Sequence, residues 1–509
     1  MTEQSHSRRL LGRMLHPVWL WRMLERLKPN WNILEIGIAL VGGLGVGVLL
    51  VIANSLSSKW QGLILLIVPG FALVMLIRDL KRLILAMFFL AVPINLDVSV
   101  VLSSLPENYV ALRELRVSLV TIILVVGYAL WIIEKPWEAH YSRIRFFPAH
   151  SWPALGVLLT MFISMWNAVD RQLSWFQIIQ YIELFLAYFY VVNHVRNTED
   201  MSFVIRIILL GVLFESTLMI LQWTTGLTFN FAGMDAAVYG SDYSDMQSRV
   251  AGTLDGPNGA GGYMGAHLAL ATAFIFAAKA DWEKWFAAIV LGLGSVAIVG
   301  TFSRSAWAGL VVAIAIIIAI GAWRKWIHLE QVMIIVCTAV ALVSILFVPI
   351  SKRLTGDDHG STDSRVELKT LAWQIVKAKP LVGIGTNNYT AVARYYITSR
   401  QNNMDLAVLS SQPVHNTYLL TWAERGIVGL IVYIIFLASI FRSLIPRLWS
   451  GGRFTSLVAA GLTGSFVTAL MRMYGQHGVG RIVNLYFWLL MALVASLTTM
   501  PSQDIAETS

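Results

Sequence analysis

The stretch that organises this chain is Val414-His-Asn-Thr-Tyr-Leu-Leu-Thr-Trp-Ala-Glu-Arg-Gly426. It closes the longest polar interval between the apolar segments, residues 351–426. Earlier in this interval, an amphipathic pattern runs from Ser364 to Lys379, and the glycine turn Gly383-Ile-Gly-Thr-Asn-Asn-Tyr389 follows. His415 stands at the edge of the next apolar run. The pattern predicts a surface helix and a tight turn that lead a histidine to the end of a long apolar helix.

The composition outside this interval is that of a membrane protein. Of 509 residues, 57% are hydrophobic and only 13% are charged, against about 25% charged in a soluble domain. The apolar residues come in runs of about 18 to 24, the length that spans a hydrocarbon core. Because backbone groups in lipid must be satisfied internally, we predict an all-α polytopic membrane protein.

The apolar runs predict about fourteen transmembrane helices. The third run is interrupted by Pro93, Asn95 and Asp97, and if it does not cross, every later segment changes sides. The predicted spans are 32–54, 60–77, 83–100, 116–133, 153–169, 177–193, 204–225, 258–278, 285–301, 306–322, 331–350, 416–441, 454–471 and 482–499.

The basic residues between the spans predict the orientation. The net charge is +9, and most of it sits at helix ends, with clusters such as Arg78, Lys81 and Arg82 on one side. Cytoplasmic loops carry such an excess, so we expect both termini in the cytoplasm and the loop 351–415 on the external face. No basic patch interleaved with aromatic residues indicates nucleic acid. The single cysteine, Cys337, excludes an intramolecular disulfide.

The chain divides by pattern into four parts. Residues 1–31 form a basic N-terminus, read either as an amphipathic helix on a membrane surface or as a tail that only fixes orientation, and no signal peptide is predicted. Residues 32–204 hold the first membrane helices, and residues 205–445 hold the unusual polar motifs. Residues 446–509 hold the last membrane helices and a short cytoplasmic tail.

The first polar motif is Ser248-Arg-Val-Ala-Gly-Thr-Leu-Asp-Gly-Pro-Asn258, which runs directly into a membrane helix. Gly252 lets backbone approach a partner closely, and Asn258 stands at a helix start. With Arg249, the helix N-terminus would make an anion site. The alternative is an ordinary capped helix start, with Arg249 reaching to the membrane interface.

The second motif is Thr301-Phe-Ser-Arg-Ser-Ala-Trp307, a very short turn with Arg304 at membrane depth. A charge there costs a few kcal/mol unless it is paired or solvated. Arg304 and its neighbour Ser303 are therefore candidates for a binding site. A structural ion pair with Glu424 or Asp255 is the alternative.

The third motif is the long loop itself. Arg365 lies on the predicted surface helix, which would present Val366, Leu368, Leu371, Ala372, Ile375 and Val376 on its apolar side. Tyr389, Tyr395 and Tyr396 follow the glycine turn, as interfacial anchors or as platforms for a sugar. His415 could either cap its helix or act as a base.

Together these residues suggest one chemistry. Two arginines beside a helix N-terminus would clamp a diphosphate, since guanidinium pairs bidentately with phosphate oxygens. A histidine titrates near neutrality and can take a proton from an attacking hydroxyl. The pattern indicates group transfer from a lipid diphosphate to an alcohol. Asp357-Asp358-His359 is the one candidate metal site, and a solvated acidic loop is the reading that we prefer, so no metal and no cofactor are expected.

In this order, the motifs resemble the bacterial O-antigen ligase and O-antigen polymerase family. The resemblance rests on four pieces that together cover roughly residues 205–445. They are Arg249-x-x-Gly252 with Pro257-Asn258; Ser303-Arg-Ser-Ala-Trp307; Arg365 through Trp373 to Pro380-Leu-Val-Gly383-Ile-Gly385 and Tyr389; and His415-Asn416-x-x-Leu419 through Glu424-x-Gly426-x-x-Gly429.

The resemblance implies a fold similar to the class C membrane glycosyltransferases. It implies a multi-pass protein of the bacterial inner membrane that takes a glycan whole from undecaprenyl diphosphate on the periplasmic face. The acceptor would be a hydroxyl of a glycolipid, glycan or protein, in the biosynthesis of lipopolysaccharide or another surface polysaccharide. The enzyme would invert the anomeric carbon without a metal.

Carried over position by position, the resemblance implies that Arg249 and Arg304 bind the diphosphate and that His415 activates the acceptor. Further residues are expected to contact substrate: Gly252, Asn258, Ser303, Arg365, Tyr389, Asn416 and Glu424. Ligase and polymerase remain open.

A transporter or flippase for a lipid-linked glycan is the rival function. It would need ionisable residues near the membrane midplane, for which Asp97 and Glu183 are the best candidates. A non-catalytic assembly subunit is the remaining alternative, although such a subunit would not need arginines on short external turns.

Overall fold

The computed structural model describes most of the chain from residue 79 onward. The described ranges are 79–94, 96–105, 109–134, 144–231, 234–236, 238–239, 248–254, 256–355, 361–397, 406–478 and 480–500. The predicted N-terminal helix and the predicted spans 32–54 and 60–77 lie outside them. The chain divides into two compact units after Leu83, and the account below concerns the second unit.

The described part is mainly helical. Its sixteen helices are α1 Leu80–Leu90, α2 Leu119–Glu134, α3 Ser151–Ser164, α4 Arg171–His194, α5 Thr198–Thr225, α6 Gly256–Ala277, α7 Asp281–Gly300, α8 Arg304–Trp323, α9 Leu329–Ile345, α10 Phe347–Thr355, α11 Ser361–Ala378, α12 Tyr389–Ala393, α13 Leu406–Ser411, α14 Thr417–Ser450, α15 Arg453–Gly475 and α16 Arg481–Thr498. Three antiparallel pairs of short strands are also present: β1 Asp97–Leu102 with β2 Glu114–Ser118, β3 Phe229–Phe231 with β4 Met234–Ala236, and β5 Val238–Tyr239 with β6 Arg249–Val250.

Eight of the described helices are long and apolar enough to cross a membrane. They are α4, α5, α6, α7, α8, α14, α15 and α16, and each matches a predicted span. The all-α, multi-pass architecture is therefore confirmed, while the full number of fourteen and the sidedness of the termini stay predictions. The predicted span 331–350 is instead the pair α9 and α10, bent by 73°. Pro349 lies three residues after the bend, and its ring clashes with a straight continuation of the preceding turn.

The prediction of one helix over 83–100 is wrong. Helix α1 ends at Leu90, and β1 begins at Asp97. Pro93 removes a backbone donor just where the helix stops. The segment nevertheless runs antiparallel to α4: the ring of Phe88 lies 6.4 Å from that of Tyr190, and the Leu102 carbonyl accepts from Gln172 Nε2 at 3.4 Å. A short helix and a strand together thus run beside α4 in place of the one predicted helix.

Two further predicted spans form shorter helices than expected. Helix α2 has 16 residues and follows β2 directly, and α3 has 14 residues and continues into a short 3-10 helix, Met165–Asn167. At about 1.5 Å rise per residue, each helix is shorter than a hydrocarbon core of about 30 Å. In the chain, the hairpin of β1 and β2 lies between α1 and α2, so strand residues take up part of two spans that were predicted as helices.

Small residues bring the central helices together. A Cβ on Gly265 or on Gly309 would lie 2.8 Å from Thr468 Cγ2, so α6 and α8 both pack tightly against α15. Ser465 Oγ of α15 donates to the Ala266 carbonyl of α6 at 2.6 Å. Close approach of backbones through small residues is the usual way in which helices associate in membranes. Helix α6 is almost wholly buried as a result.

The long loop packs into a kink of α14. Gly426 has φ +68°, and α14 bends there. Ile384 N–H donates to the Ala423 carbonyl and Gly385 N–H donates to the Glu424 carbonyl, both at 3.0 Å. A Cβ at Gly426 would overlap the Leu381 carbonyl oxygen, so only glycine allows this docking.

The predicted surface helix is present as α11. Its buried side consists of Leu368, Leu371, Ala372, Ile375 and Val376, as predicted, whereas Val366 is exposed. The buried side joins Tyr389, Val414 and Ala423 in a second hydrophobic cluster, separate from the main core. This cluster holds the loop against the start of α14, where His415 lies.

Candidate functional site

Arg249 lies on β6, immediately before α6, and its side chain is held by two neutral oxygens. Nε donates to the Thr301 carbonyl and Nη2 donates to Asn258 Oδ1, both at 2.9 Å. Asn258, the third residue of α6, thus positions the guanidinium rather than its own helix end. A guanidinium has five N–H donors, so three of those of Arg249 point to neither oxygen.

The turn between α7 and α8 collects two more arginines. Phe302 adopts φ +51° there, and its carbonyl accepts from Arg353 Nε at 3.1 Å. Arg304 begins α8 directly after this turn; its side chain is exposed and donates no hydrogen bond to a described residue. Ser303 is buried at the N-cap position, and its hydroxyl does not cap the helix.

The predicted ion pair of Arg304 does not form with Glu424, whose Oε1 accepts from Tyr389 N–H at 3.3 Å. Asp255, the other predicted partner, lies outside the described residues. A binding role of Arg304 stays a prediction.

Arg365, on α11, completes a group that we call the arginine cluster: Arg249 with Arg353 and Arg365, whose charges act on it, together with Arg304 on the adjoining turn. Burial, together with the charges of Arg353 and Arg365, lowers the pKa of Arg249 to about 10. A pKa lowered by like charges means that the cations raise one another's energy. An anion bound among them would relieve this repulsion, as a diphosphate would.

His415 lies next to the cluster. Burial and the charge of Arg365 lower the pKa of its imidazole, so the ring is neutral at pH 7 and can accept a proton. The Gln476 side chain lies near the ring and acts in the opposite direction on its pKa. Nδ1 of His415 is buried and has no hydrogen-bond partner among the described residues. Arg365 therefore connects the arginine cluster to the predicted base.

A second histidine faces the first. The ring centroids of His415 and His477 are 5.1 Å apart, and Nδ1 of His477 is also buried without a partner among the described residues. Burial and the neighbouring His415 and Arg472 lower the pKa of His477 to about 3. Two neutral imidazoles thus lie side by side, and His477 places no positive charge next to His415.

Arg472 connects the histidines to α6. It lies near the end of α15, and its Nε donates to the Asn258 carbonyl at 3.4 Å. Gly262 provides the space for the Arg472 side chain, since a Cβ at position 262 would overlap Arg472 Cδ. Asn258 therefore binds Arg249 through its side chain and Arg472 through its backbone.

Four residues predicted to contact substrate form hydrogen bonds within the protein, and their contact with substrate stays a prediction. Gly252, at φ +64°, leaves space for the buried Glu215, and its N–H donates to Gln222 Oε1 at 2.9 Å. Asn416 caps α14 by accepting from Leu419 N–H at 2.9 Å.

Tyr389 and Glu424, the other two, are buried. Glu424 binds the Tyr389 N–H, and the Tyr389 hydroxyl donates to the Leu368 carbonyl at 3.4 Å. These hydrogen bonds shape the loop.

The two carboxylates that a transporter would need are paired. Glu183 Oε1 lies 2.6 Å from Arg481 Nη2, and Asp97 Oδ2 lies 3.1 Å from Arg116 Nη1. Arg481 Nη2 also donates a hydrogen bond to Ser118 Oγ at 2.7 Å. This network ties β1, β2, α4 and α16 together, which is a structural role.

Arg353, Arg472 and His477 were not among the site residues predicted from the sequence. Arg472 and His477 lie beside the short connection between two membrane helices, where basic residues ordinarily mark only a helix end. Arg353 ends a helix whose bend the apolar pattern did not show. The Gln476-His477 pair between two apolar runs was the available signal, since it is a polar pair on the same predicted side as His415.

The predicted alternative metal site, Asp357-Asp358-His359, lies outside the described residues. Within the described ranges, no group of three or more His, Cys, Asp or Glu side chains could hold a metal ion.

Comparison with known proteins adds the family. The family described as O-Antigen ligase (Wzy_C) matches residues 287–434, less than a third of the chain. The matched segment contains Arg304, Arg353, Arg365 and His415, whereas Arg249 precedes it. A protein of Haemophilus influenzae described as uncharacterized is 27% identical over 166 residues, which are 30% of this chain and 40% of the relative's length.

Proposed function

We propose that this chain, whose residues 287–434 belong to the O-antigen ligase family, is a membrane glycosyltransferase that moves a glycan as one block from undecaprenyl diphosphate to an acceptor hydroxyl. The family supports a ligase- or polymerase-type activity in general terms. The donor, the acceptor and the mechanism are our extension from the site.

One observation carries the proposal: the arginine cluster lies beside a pair of neutral histidines, with Arg365 acting electrostatically on both Arg249 and His415. A cation cluster fits a diphosphate, because guanidinium groups offer several donors to phosphate oxygens. A neutral imidazole fits a hydroxyl that must lose a proton. A lipid diphosphate donor and an alcohol acceptor are the substrates that need both groups at once.

In the proposed step, the acceptor hydroxyl gives its proton to the imidazole of His415. Its oxygen then forms a bond to the anomeric carbon from the face opposite the diphosphate. The bond between that carbon and the diphosphate oxygen breaks, and its electron pair leaves with undecaprenyl diphosphate. Attack from the opposite face inverts the anomeric carbon.

The arginine cluster would stabilise the leaving group as its charge increases. Donors aimed at developing charge are usually the largest single contribution to such catalysis. Arg249 is well suited, because its anchors at Thr301 and Asn258 are neutral and leave its charge available. We propose that these guanidinium groups supply the charge that metal ions supply in other diphosphate reactions, so that transfer needs no metal.

We place the site on the periplasmic face of the bacterial inner membrane, where the positive-inside pattern puts the loop 351–415. Surface polysaccharide biosynthesis, including that of lipopolysaccharide, is the process we propose. A glycolipid, a protein and another lipid-linked glycan all present hydroxyls, and the transfer experiment below identifies which of them is the acceptor. Flipping of a lipid-linked glycan is less well supported, since Asp97 and Glu183 are both ion-paired.

Transfer by the purified full chain tests the proposal. The reaction contains an undecaprenyl-diphosphate oligosaccharide, EDTA and one candidate acceptor at a time. We expect wild type to transfer, and His415→Ala to lose about 10²- to 10⁴-fold in rate, the usual contribution of a general base. His328→Ala is the matched control, because His328 is exposed and precedes α9.

The productive acceptor would then distinguish a ligase from a polymerase. A His415→Ala protein that is folded and transfers like wild type would refute the assigned base. Inhibition by EDTA that added divalent metal reverses would refute the metal-free mechanism. Movement of the lipid-linked glycan across a vesicle bilayer without transfer to any acceptor would favour the flippase.

A further inference from the structure

A small cavity with a mixed polar and apolar lining lies inside the bundle, beneath the segments that carry the histidine pair. Its volume is about 70 Å³, and it is enclosed by α3, α4, α14, α15 and α16. Thr417 and Gly478, the neighbours of the histidine segments, form part of its lining. A site for one water needs about 10–15 Å³, so the cavity can hold several waters or one small tetrahedral anion.

Two arginines line this cavity, and no carboxylate does. Arg425 comes from α14 and Arg472 from α15, and none of the described lining residues is acidic. Glu424, the chain neighbour of Arg425, uses Oε1 to bind the Tyr389 N–H. Neither Arg425 nor Arg472 therefore forms an ion pair within 4 Å with a described residue, although the Glu424 carboxylate is near enough to attract Arg425.

Arg425 is held in place but is not hydrogen-bonded. Its Nε and Nη1 atoms are buried and have no hydrogen-bond partner among the described residues. Its guanidinium carbon lies 5.9 Å from the centre of the Tyr433 ring, a cation–π contact that supports one face of the group. Gly429 provides the space for its stem, since a Cβ there would overlap Arg425 Cβ.

A half-buried cation whose Nε and Nη1 donors are buried without partners is costly unless an anion or water meets those donors. Neutral donors complete the lining: Gln177 and Gln180 from α4, and Asn484 from α16. Guanidinium and amide N–H groups around a compact volume match the several acceptor oxygens of a phosphate. Chloride would use fewer of these donors, because it offers no directed oxygen lone pairs.

We infer that Arg425 and Arg472 form a second oxyanion site, beneath the histidine pair and separate from the arginine cluster, which takes a phosphate group. The phosphate is either free or carried by a sugar or lipid headgroup that enters past Thr417 and Gly478. The site needs only the cavity and its donors, and it does not depend on the proposed transfer reaction.

Phosphate binding by the purified full chain tests the inference without measuring transfer. The thermal unfolding midpoint is followed against inorganic phosphate, with ionic strength held constant by chloride. A ligand that binds only the folded state raises the midpoint in a saturable way. We expect such a shift in wild type, and an affinity for phosphate at least about tenfold weaker in Arg425→Gln, since charge-assisted hydrogen bonds are lost.

Two further variants remove the obvious ambiguities. Arg442→Gln makes the same charge change in the same helix at an exposed residue far from the cavity, and it should bind phosphate like wild type. Arg425→Lys keeps the charge but not the planar fork, so its affinity should also fall. Without phosphate, Arg425→Gln should unfold at or above the wild-type midpoint, because an uncompensated buried charge is removed.

The inference is overturned if phosphate does not raise the wild-type midpoint, or if Arg425→Gln binds it as tightly as Arg442→Gln. Full wild-type affinity in Arg425→Lys would also overturn it, because a long-range charge acting on the arginine cluster would then suffice. Glucosamine 1-phosphate distinguishes the two sources. Binding as tight as that of phosphate indicates a headgroup phosphate, and binding of inorganic phosphate alone indicates a free anion.

Discussion

Replacing Arg249 by lysine separates a bidentate clamp from a simple positive charge. In the native site, two of the five guanidinium donors bind Thr301 and Asn258 at 2.9 Å, and three remain for a diphosphate. A lysine ammonium has three donors in all. If it keeps both anchors, only one donor is left, and if it turns to the diphosphate, both anchors are lost.

The size of the effect follows from this count. Arg249→Lys removes two donors to a leaving group whose charge increases in the transition state. Loss of one preorganised donor of this kind costs about 2.7–4 kcal/mol, and the retained charge of lysine offsets part of the cost of losing two. We expect kcat/KM to fall about 100-fold, equivalent to about 2.7 kcal/mol at 1.36 kcal/mol per tenfold.

The assay is glycan transfer from an undecaprenyl-diphosphate donor, with kcat and KM measured separately. Arg442→Lys, at an exposed residue of α14, is the control for a change from arginine to lysine and should stay within about twofold of wild type. The unfolding midpoint of Arg249→Lys should stay near wild type, since Arg249 forms no ion pair with a described residue. Full activity in Arg249→Lys would refute the clamp geometry.

Three further predictions concern stability and pH. Gly426→Ala should destabilise the protein by at least about 1–3 kcal/mol, since alanine is strained at φ +68°. The control Gly292→Ala, with open space around its Cβ, should leave the unfolding midpoint unchanged or higher. Equal unfolding midpoints in the two variants would contradict the kink at Gly426. Arg481→Met should cost about 3–5 kcal/mol by leaving Glu183 without an ion pair, while Asp97 keeps Arg116. An unfolding midpoint equal to that of wild type would show that the Arg481 pair does not stabilise the protein. In the pH profile of transfer, activity should fall on the acid side as His415 becomes protonated. Burial and the charge of Arg365 lower the pKa of that imidazole, so Arg365→Gln should move the acid limb to higher pH. An unmoved limb would refute the electrostatic effect of Arg365 on His415.

Long apolar segments and surface periodicity could be predicted from the sequence. Helix α11 formed with the buried side that its spacing indicated, because apolar residues at helical intervals need one surface to cover them. The segment around Pro93 was different. Its composition suits a membrane helix, yet a helix of 11 residues followed by a strand takes its place. Proline and the partners of Asp97 decide this, and those partners come from β2 and α16, far along the chain.

Only part of the candidate site could be predicted, because the contacts that complete it also join distant parts of the chain. Arg249, Arg304 and His415 stood out because each is a polar residue beside a membrane helix. His477 did not stand out, since its closeness to His415 depends on how the end of α15 packs beside the start of α14. Glu424 and Tyr389 stood out equally, but they hold the loop into the kink at Gly426. Sequence position thus indicated which residues were unusual and not which of them face a common space.

The partners of each arginine give a criterion that the sequence lacks. Arg481 meets Glu183 at 2.6 Å, and Arg116 meets Glu114 at 2.9 Å, so these charges are neutralised within the protein and stabilise it. Arg249 is held by a carbonyl and an amide oxygen, which fix its position without cancelling its charge. A carboxylate in their place would compete with a diphosphate for the same donors. Neutral anchoring costs the protein stability, because burial of the charge and then repulsion by Arg353 and Arg365 lower the pKa of Arg249. That cost is understandable if the charge is kept for a bound anion.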